Sequence, residues 1–296
     1  MAKTFDTYKE RKPKPLTWGE AVDYTLRTRD SWRNGNSRKT NLINVGHFTE
    51  AHGRSFPTSS ITSALVNQWA VDLEEDGYSN ATINRCISAI STVLNHCSYD
   101  DLCSRPPKFK RRKESEGRIL FFTKDDVDQM CHASVDVFSR MDLAEIIQVA
   151  AFTGMRQGEL LKLKARDIDL SLNIIHVGGL PDVRTKSDNY RSIPIHDRIA
   201  SLLHDRLEDA LPNVKVFDDW ATKDQLLRAF HKVRRYVGLP EGYCFHSLRH
   251  SFATWHVEAG TPIRTLMGLM GHKRIETTLR YAKITNKAVI EAMAAI

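Results

Sequence analysis

The chain has 296 residues, enough for two domains with cores of their own. Its 41% hydrophobic and 27% charged residues are ordinary for a globular protein. No run of about 18 apolar residues marks a membrane span, and Met1-Ala-Lys-Thr-Phe-Asp-Thr has no apolar signal core, so a cytoplasmic protein is expected. The five cysteines (Cys86, Cys97, Cys103, Cys131 and Cys244) form no C-x-x-C pair and read as reduced thiols. The formal net charge of +7 favours a polyanionic partner. Residues 1–120 carry 19 Lys and Arg against 14 Asp and Glu, and the remainder 24 against 22, so the excess is mainly N-terminal.

Residues 1–16 read as a basic arm. Thr17-Trp-Gly-Glu20 is a capping box that opens a helix. A second helix is expected from Lys39 to about His52, stopped by Gly53. A third is expected from about Ser59 to Asp76, with Ile61, Leu65, Trp69 and Leu73 as its apolar stripe. Ser79 caps a fourth, in which Ile83, Cys86, Ile87, Ile90, Val93 and Leu94 keep helical spacing. Residues 17–104 therefore form an all-helical domain.

Arg105-Pro-Pro-Lys-Phe-Lys-Arg-Arg-Lys113 joins two prolines to a basic run, and 105–118 reads as a basic linker. Lys108, Lys110, Arg111, Arg112 and Lys113 are its candidate DNA-backbone contacts; a solvated tail is the competing reading. The second domain, 119–296, opens at the N-cap Thr123, and a helix through Leu143, Ile146, Ile147 and Ala150 follows. Asn173–Val177 and Arg191–Ile195 then change to the period of short strands, with Pro194 suited to an edge. Helices resume near Asp197 and continue to the end. The fold class is mainly α, a four-helix N-terminal domain followed by a mostly helical domain with a small antiparallel sheet.

Arg156 stands in Thr153-Gly-Met-Arg156-Gln-Gly-Glu159-Leu, at the end of an apolar helix. Gly154 lets another segment approach, and Glu159 is placed to pair with an arginine and fix its fork for a phosphate. His246 and Arg249, three residues apart, share one helix face; His246 can exchange a proton near neutrality and Arg249 can hold a second phosphate oxygen. His250 is four residues after His246, so a metal pair with His256 or His272 is conceivable, although a hydrogen-bonded structural histidine is the preferred reading. Gly271 ends a helix begun at Pro262, which sets His272 at a turn. A free phenol such as Tyr281 is a poor nucleophile at neutral pH, but nearby arginines favour the phenolate and withdraw charge from a phosphate. A phosphotyrosine ester keeps the energy of the original bond, so a hydroxyl can reverse it without a nucleotide. Lys186 is the only lysine between Lys164 and Lys215 and lies in the turn between the strands, from which it can protonate a leaving 5′ oxygen.

The ordered set Arg156, Lys186, His246, Arg249, His272 and Tyr281 resembles that of the tyrosine recombinases, the phage integrase family, with Glu159 at its acidic position. The words T-G-M-R-Q-G-E-L, H-S-L-R-H-S-F-A-T and M-G-H-K-R-I-E-T-T-L-R-Y resemble it too. Met270 departs from it, since a leucine usually precedes Gly-His, and the loop Gly179-Leu-Pro-Asp-Val183 loosens the position of the lysine. The resemblance implies a site-specific recombinase that cuts and rejoins double-stranded DNA through a 3′-phosphotyrosine and a Holliday junction. It implies a homotetramer on two DNA sites, a nucleoid-associated protein of the bacterial or host-cell cytoplasm, and integration or excision of a phage or mobile element. A directionality factor or host DNA-bending protein would be an accessory partner. No metal or other cofactor is expected, nor a membrane. Xer-type dimer resolution and a type IB topoisomerase are the alternatives, with a non-catalytic DNA-binding protein and a zinc hydrolase behind them. The apolar stripe Val289, Ile290, Met293 and Ile296 is expected on a terminal helix that docks on its own domain or on a neighbouring subunit.

Overall fold

The computed structural model describes residues 16–33, 37–114, 117–178 and 190–283. The basic arm up to residue 15, Lys186 with its turn, and the terminal apolar stripe lie outside the described residues. The chain divides into two compact units, Met1–Glu116 and Gly117–Ile296.

The first unit is built from α1 (Trp18–Thr28), the single turn α2 (Asp30–Arg33), α3 (Arg38–His52), α4 (Ser63–Glu75) and α5 (Asn80–Tyr99). Thr17 and Glu20 form the reciprocal cap of α1. This seats Trp18, wholly buried, edge-on against Phe48 of α3 at 5.1 Å. The expected third helix is broken in two. A 3-10 turn covers Thr58–Ser60, and the Thr62 side chain then accepts from the Leu65 amide to start α4. The N-terminus of α4 is thereby reset, and Val66 rather than Leu65 joins Trp69, Ala70 and Leu73 in the core. Helix α5 buries Ile83, Cys86, Ile87, Ile90, Val93 and Leu94, the residues that its spacing marks.

The basic segment 105–114 is fastened to this unit rather than free of it. Asn84, itself buried, exchanges hydrogen bonds with the main chain of Arg112, donating at 2.9 Å and accepting at 2.8 Å. Ser63 and Asn80 donate to the carbonyls of Lys108 and Lys113. Phe109 packs on the first core. Two prolines and a charge run suggest a solvated tether, but the polar faces of α4 and α5 satisfy its backbone instead.

In the second unit α6 (Lys124–Asp136) packs on α7 (Met141–Thr153), and the one-turn α8 (Gln157–Leu160) follows. Strands β1 (Ile168–Asp169), β2 (Ile174–Val177) and β3 (Arg191–Pro194) form an antiparallel sheet in that order. Strand β1, only two residues long, is too short to show a period in the sequence. Pro194 sits on the edge strand, where its missing N–H costs no ladder bond. Helices α9 (Asp197–Leu207), α10 (Lys223–Tyr236), α11 (Phe245–Glu258), α12 (Ile263–Met270) and α13 (Ile275–Ala282) complete the unit. The main core gathers Phe122, Ile146, Ile147, Leu160, Ile175, Phe217 and Phe230, all fully buried. A smaller cluster of Phe252, Leu266, Met270 and Tyr281 binds α11, α12 and α13 together. Among the described residues no helix is long and apolar enough to cross a membrane.

Candidate active site

The C-terminal end of α12 organises the site. A helix leaves its last carbonyls without intrahelical donors, and that end carries partial negative charge. Three arginines from three other elements supply the donors. Arg191 of β3 donates through Nε to Leu269 at 2.8 Å. Arg249 of α11 donates to the Met270 carbonyl, and Arg156, the N-cap of α8, donates to that of Gly271 at 3.4 Å. Arg249 also reaches back to the carbonyl of Gly154, 2.5 Å away, at the end of α7.

Two glycines make these approaches possible. Gly154 and Gly271 both have φ near +61°, which ends α7 and α12 in the left-handed conformation. A side chain on Gly154 would come within 2.5 Å of the Phe252 ring, and one on Gly271 within 3.0 Å of Arg191.

Glu159 holds two of the arginines. Its carboxylate receives Arg191 in a two-pronged pair at 2.8 and 3.2 Å, and Arg156 through Nη1 and the main-chain amide, both at 2.8 Å. Burial alone would raise the Glu159 carboxyl, but the hydrogen bonds and charge of Arg191, helped by Arg156, hold it down at about 2. Arg191 is almost wholly enclosed, whereas two-fifths of the Arg156 side chain is open to solvent. Burial, and then the charges of Arg156 and Arg191, lower the Arg249 guanidinium to about 10. Three guanidinium groups thus face one carboxylate, and the surplus positive charge suits an anion. Each terminal nitrogen of Arg249 keeps a second hydrogen for such a ligand.

Arg156, Gly271, His272, Lys273, Arg274 and Thr277 line a cleft of about 330 Å³ beside this cluster. His272 is fixed there by Nδ1 against the Thr278 hydroxyl at 2.9 Å, which directs Nε2 to other partners. Burial, then Arg249 and Arg156, push its ring down to about 4, so it is neutral near pH 7. It lies parallel to the ring of Tyr281, with centroids 6.4 Å apart. Tyr281 is 4% exposed, and its hydroxyl meets Nδ1 of His250 at 2.8 Å. Burial raises the phenol, and the charges of Arg249, Arg280 and Arg156 pull it back only in part. His246 lies in the first turn of α11 and meets His250 edge to face at 4.9 Å. Its basicity is reduced by burial and by Arg249 and Arg156.

Arg156, Glu159, His246, Arg249, His272 and Tyr281 therefore come together, while Lys186 lies outside the described residues. The linker residues stand elsewhere, in the first unit. Lys108, Lys110, Arg111 and Lys113 are exposed. Arg112 is half-buried and paired with Glu74 at 3.1 Å, so its charge is already engaged. The histidines weighed as a metal group find other partners, His250 on Tyr281 and His256 on Thr261. Among the described residues no three such side chains converge as metal ligands. Arg191 is not among the residues that the sequence motifs single out. A signal is present, because Arg191 and Ile193 alternate with Ser192 and Pro194 and share the buried face of β3, a pattern that Ile195 continues just past the strand. An arginine on a buried strand face needs a carboxylate, and Glu159 is that group.

Similarity to known proteins settles the family. Residues 120–288 match the model of the phage integrase family. The chain belongs to that family. It is a tyrosine-type site-specific recombinase. The integrase of Escherichia phage P2 is 30% identical over 259 residues, covering 86% of this chain and 70% of that one. The tyrosine recombinase XerD of Listeria monocytogenes is 26% identical over 257 residues, covering 81% and 84%. Among solved structures, the Tn1549 transposon integrase in complex with transposon right end DNA shares the fold, with a TM-score of 0.74 at 19% identity, covering 94% of this recombinase and all of that chain.

Proposed function

We propose that this recombinase cuts and rejoins double-stranded DNA with Tyr281 as the nucleophile. The observation that carries the reading is the convergence of Arg156, Arg249 and His272 beside the Tyr281 ring, at the carbonyl end of α12. Tyr281 attacks a backbone phosphorus, leaving a 3′-phosphotyrosine and a free 5′ hydroxyl. Arg156, Arg249 and His272 hold the non-bridging oxygens, where charge grows in the transition state. Lys186 protonates the departing 5′ oxygen, and His246 assists with the tyrosine proton. Glu159 and Arg191 keep the guanidinium groups in place.

Four subunits act on two DNA sites through a Holliday junction, and Lys108, Lys110, Arg111 and Lys113 add backbone contacts. The biological role is integration or excision of a phage or mobile element, which the 30% identity with the P2 integrase supports. A two-site recombination assay beside a supercoil-relaxation assay tests this. Recombinant products that require both sites are expected; relaxation of single-site plasmids without recombinants would make the chain a topoisomerase.

A further inference from the structure

The nucleophilic hydroxyl has a partner that the six-residue set does not include. His250 is the last residue of His246-Ser-Leu-Arg249-His250, one turn of α11 beyond His246. Its Nδ1 stands 2.8 Å from Oη of Tyr281. His246 meets the ring of His250, 4.9 Å away, so His250 touches both His246 and the phenol. The Tyr281 side chain is buried, which leaves bulk water little access to its proton. We propose that His250 is a catalytic residue, the first acceptor of the Tyr281 phenolic proton. This rests on the reading of Tyr281 as the nucleophile.

The step balances as follows. The Oη–P bond forms and the P–O5′ bond breaks. The phenolic proton passes to Nδ1 of His250, giving an imidazolium, and the 5′ oxygen takes its proton from the separate donor assigned above to Lys186. On rejoining, the 5′ hydroxyl gives its proton back to that same donor and attacks phosphorus, the Oη–P bond breaks, and the imidazolium returns its proton to Oη. The groups that face the His250 ring are His246 and Arg249 on its own helix, Arg280 and Tyr281 on α13, and His272 after α12. Burial, then His246, Arg280, Arg249 and His272, push the resting ring down to about 4, so it waits neutral, as an acceptor must. A bound phosphodiester brings negative charge that offsets the arginines and restores basicity. The phenol becomes more acidic as its oxygen bonds to phosphorus. Proton transfer is thus favoured only once DNA is in place.

The test uses the full-length protein and a nicked suicide DNA carrying its recombination site, with single-turnover cleavage followed across pH. H250N keeps the size and a hydrogen-bonding atom near Nδ1 but cannot take the proton. It is expected to bind DNA normally, to cleave roughly 100-fold or more slowly at pH 7, and to speed up steadily with pH as the phenolate is supplied by solvent. A 5′-bridging phosphorothioate, whose leaving group needs no proton, should not rescue it. Cleavage within about 3-fold of wild type, a loss with the pH profile unchanged in shape, or rescue by the phosphorothioate would overturn the assignment. Should H250N fail to fold, ¹⁵N-histidine NMR of the intact wild-type protein decides. Nδ1 of His250 is expected unprotonated, and a proton on Nδ1 would overturn the proposal. Y281F run in parallel separates the two claims, because an adduct surviving in Y281F sinks the nucleophile and not the role of the histidine alone.

Discussion

Glu159→Gln removes one charge and almost no volume, and the structure says what that should cost. Glu159 accepts from Arg191 twice and from Arg156 twice, at 2.8 to 3.2 Å. Gln keeps one acceptor oxygen, but the enclosed Arg191 loses its neutralising charge and one prong of the pair, with its bond to the Leu269 carbonyl unchanged. Breaking a buried ion pair from one side costs about 3–5 kcal/mol, because the remaining charge is left uncompensated. In a domain the size of the second unit this lowers Tm by roughly 6–20 °C. The acid limb gives a second reading. The Glu159 carboxyl is held at about 2, below its ordinary 4.5. The stabilisation it adds is therefore complete above the ordinary value and is lost as pH falls through the lower one. The gap between wild type and E159Q should be widest near neutrality and close progressively below pH ~4.5. Urea unfolding of both proteins at several pH values measures it. A loss under about 1 kcal/mol at pH 7, the range of an exposed pair, or a gap that does not change with pH, would refute the reasoning.

Other expectations follow from the same contacts. Gly154→Ala should cost about 2–5 kcal/mol in chemical denaturation, since it adds left-handed strain to a contact of 2.5 Å with Phe252. Arg191→Lys keeps the charge but loses the fork on Glu159; stability should fall by about 1–3 kcal/mol in the same assay. Neutralising Lys108, Lys110, Arg111 and Lys113 together should weaken binding to all DNA sequences and flatten the salt slope by about 0.9 per lost contact. Arg112→Gln alone should leave that slope nearly unchanged in titrations, since its charge faces Glu74.

Much of the molecule can be read from its amino acids, for reasons that differ by element. Helix α5 is legible because Ile83, Cys86, Ile87, Ile90, Val93 and Leu94 repeat at helical spacing and are all buried. The caps at Thr17, Ser79 and Thr123 are legible because a side-chain oxygen before an apolar run has one common use. The break at Thr62 is not, because a threonine inside a periodic stretch can continue a helix as well as cap one. The anchoring of the basic segment depends on Asn84, whose role is invisible until α5 lies beside it. In the site, the order of arginines, histidines and tyrosine carries the chemistry, but not who touches whom. The alternation of β3 places Arg191 on a buried face, but its partner Glu159 is hidden by distance in sequence, 32 residues away. The sequence favours a hydrogen-bonded structural histidine at His250; the hydrogen bond is present, but only the packing of α13 on α11 names its partner as the Tyr281 hydroxyl, where the histidine is more than structural in the role proposed above.

The central claim is that Tyr281 becomes joined to DNA, and covalent trapping tests it most directly. Wild-type protein incubated with a suicide DNA carrying its site should yield a denaturant-resistant adduct. Peptide mass spectrometry should place the nucleotide on Tyr281. Y281F should bind the same DNA with nearly unchanged affinity and form no adduct. An adduct that persists in Y281F, or one mapped to Tyr236 or Tyr243, would contradict the account.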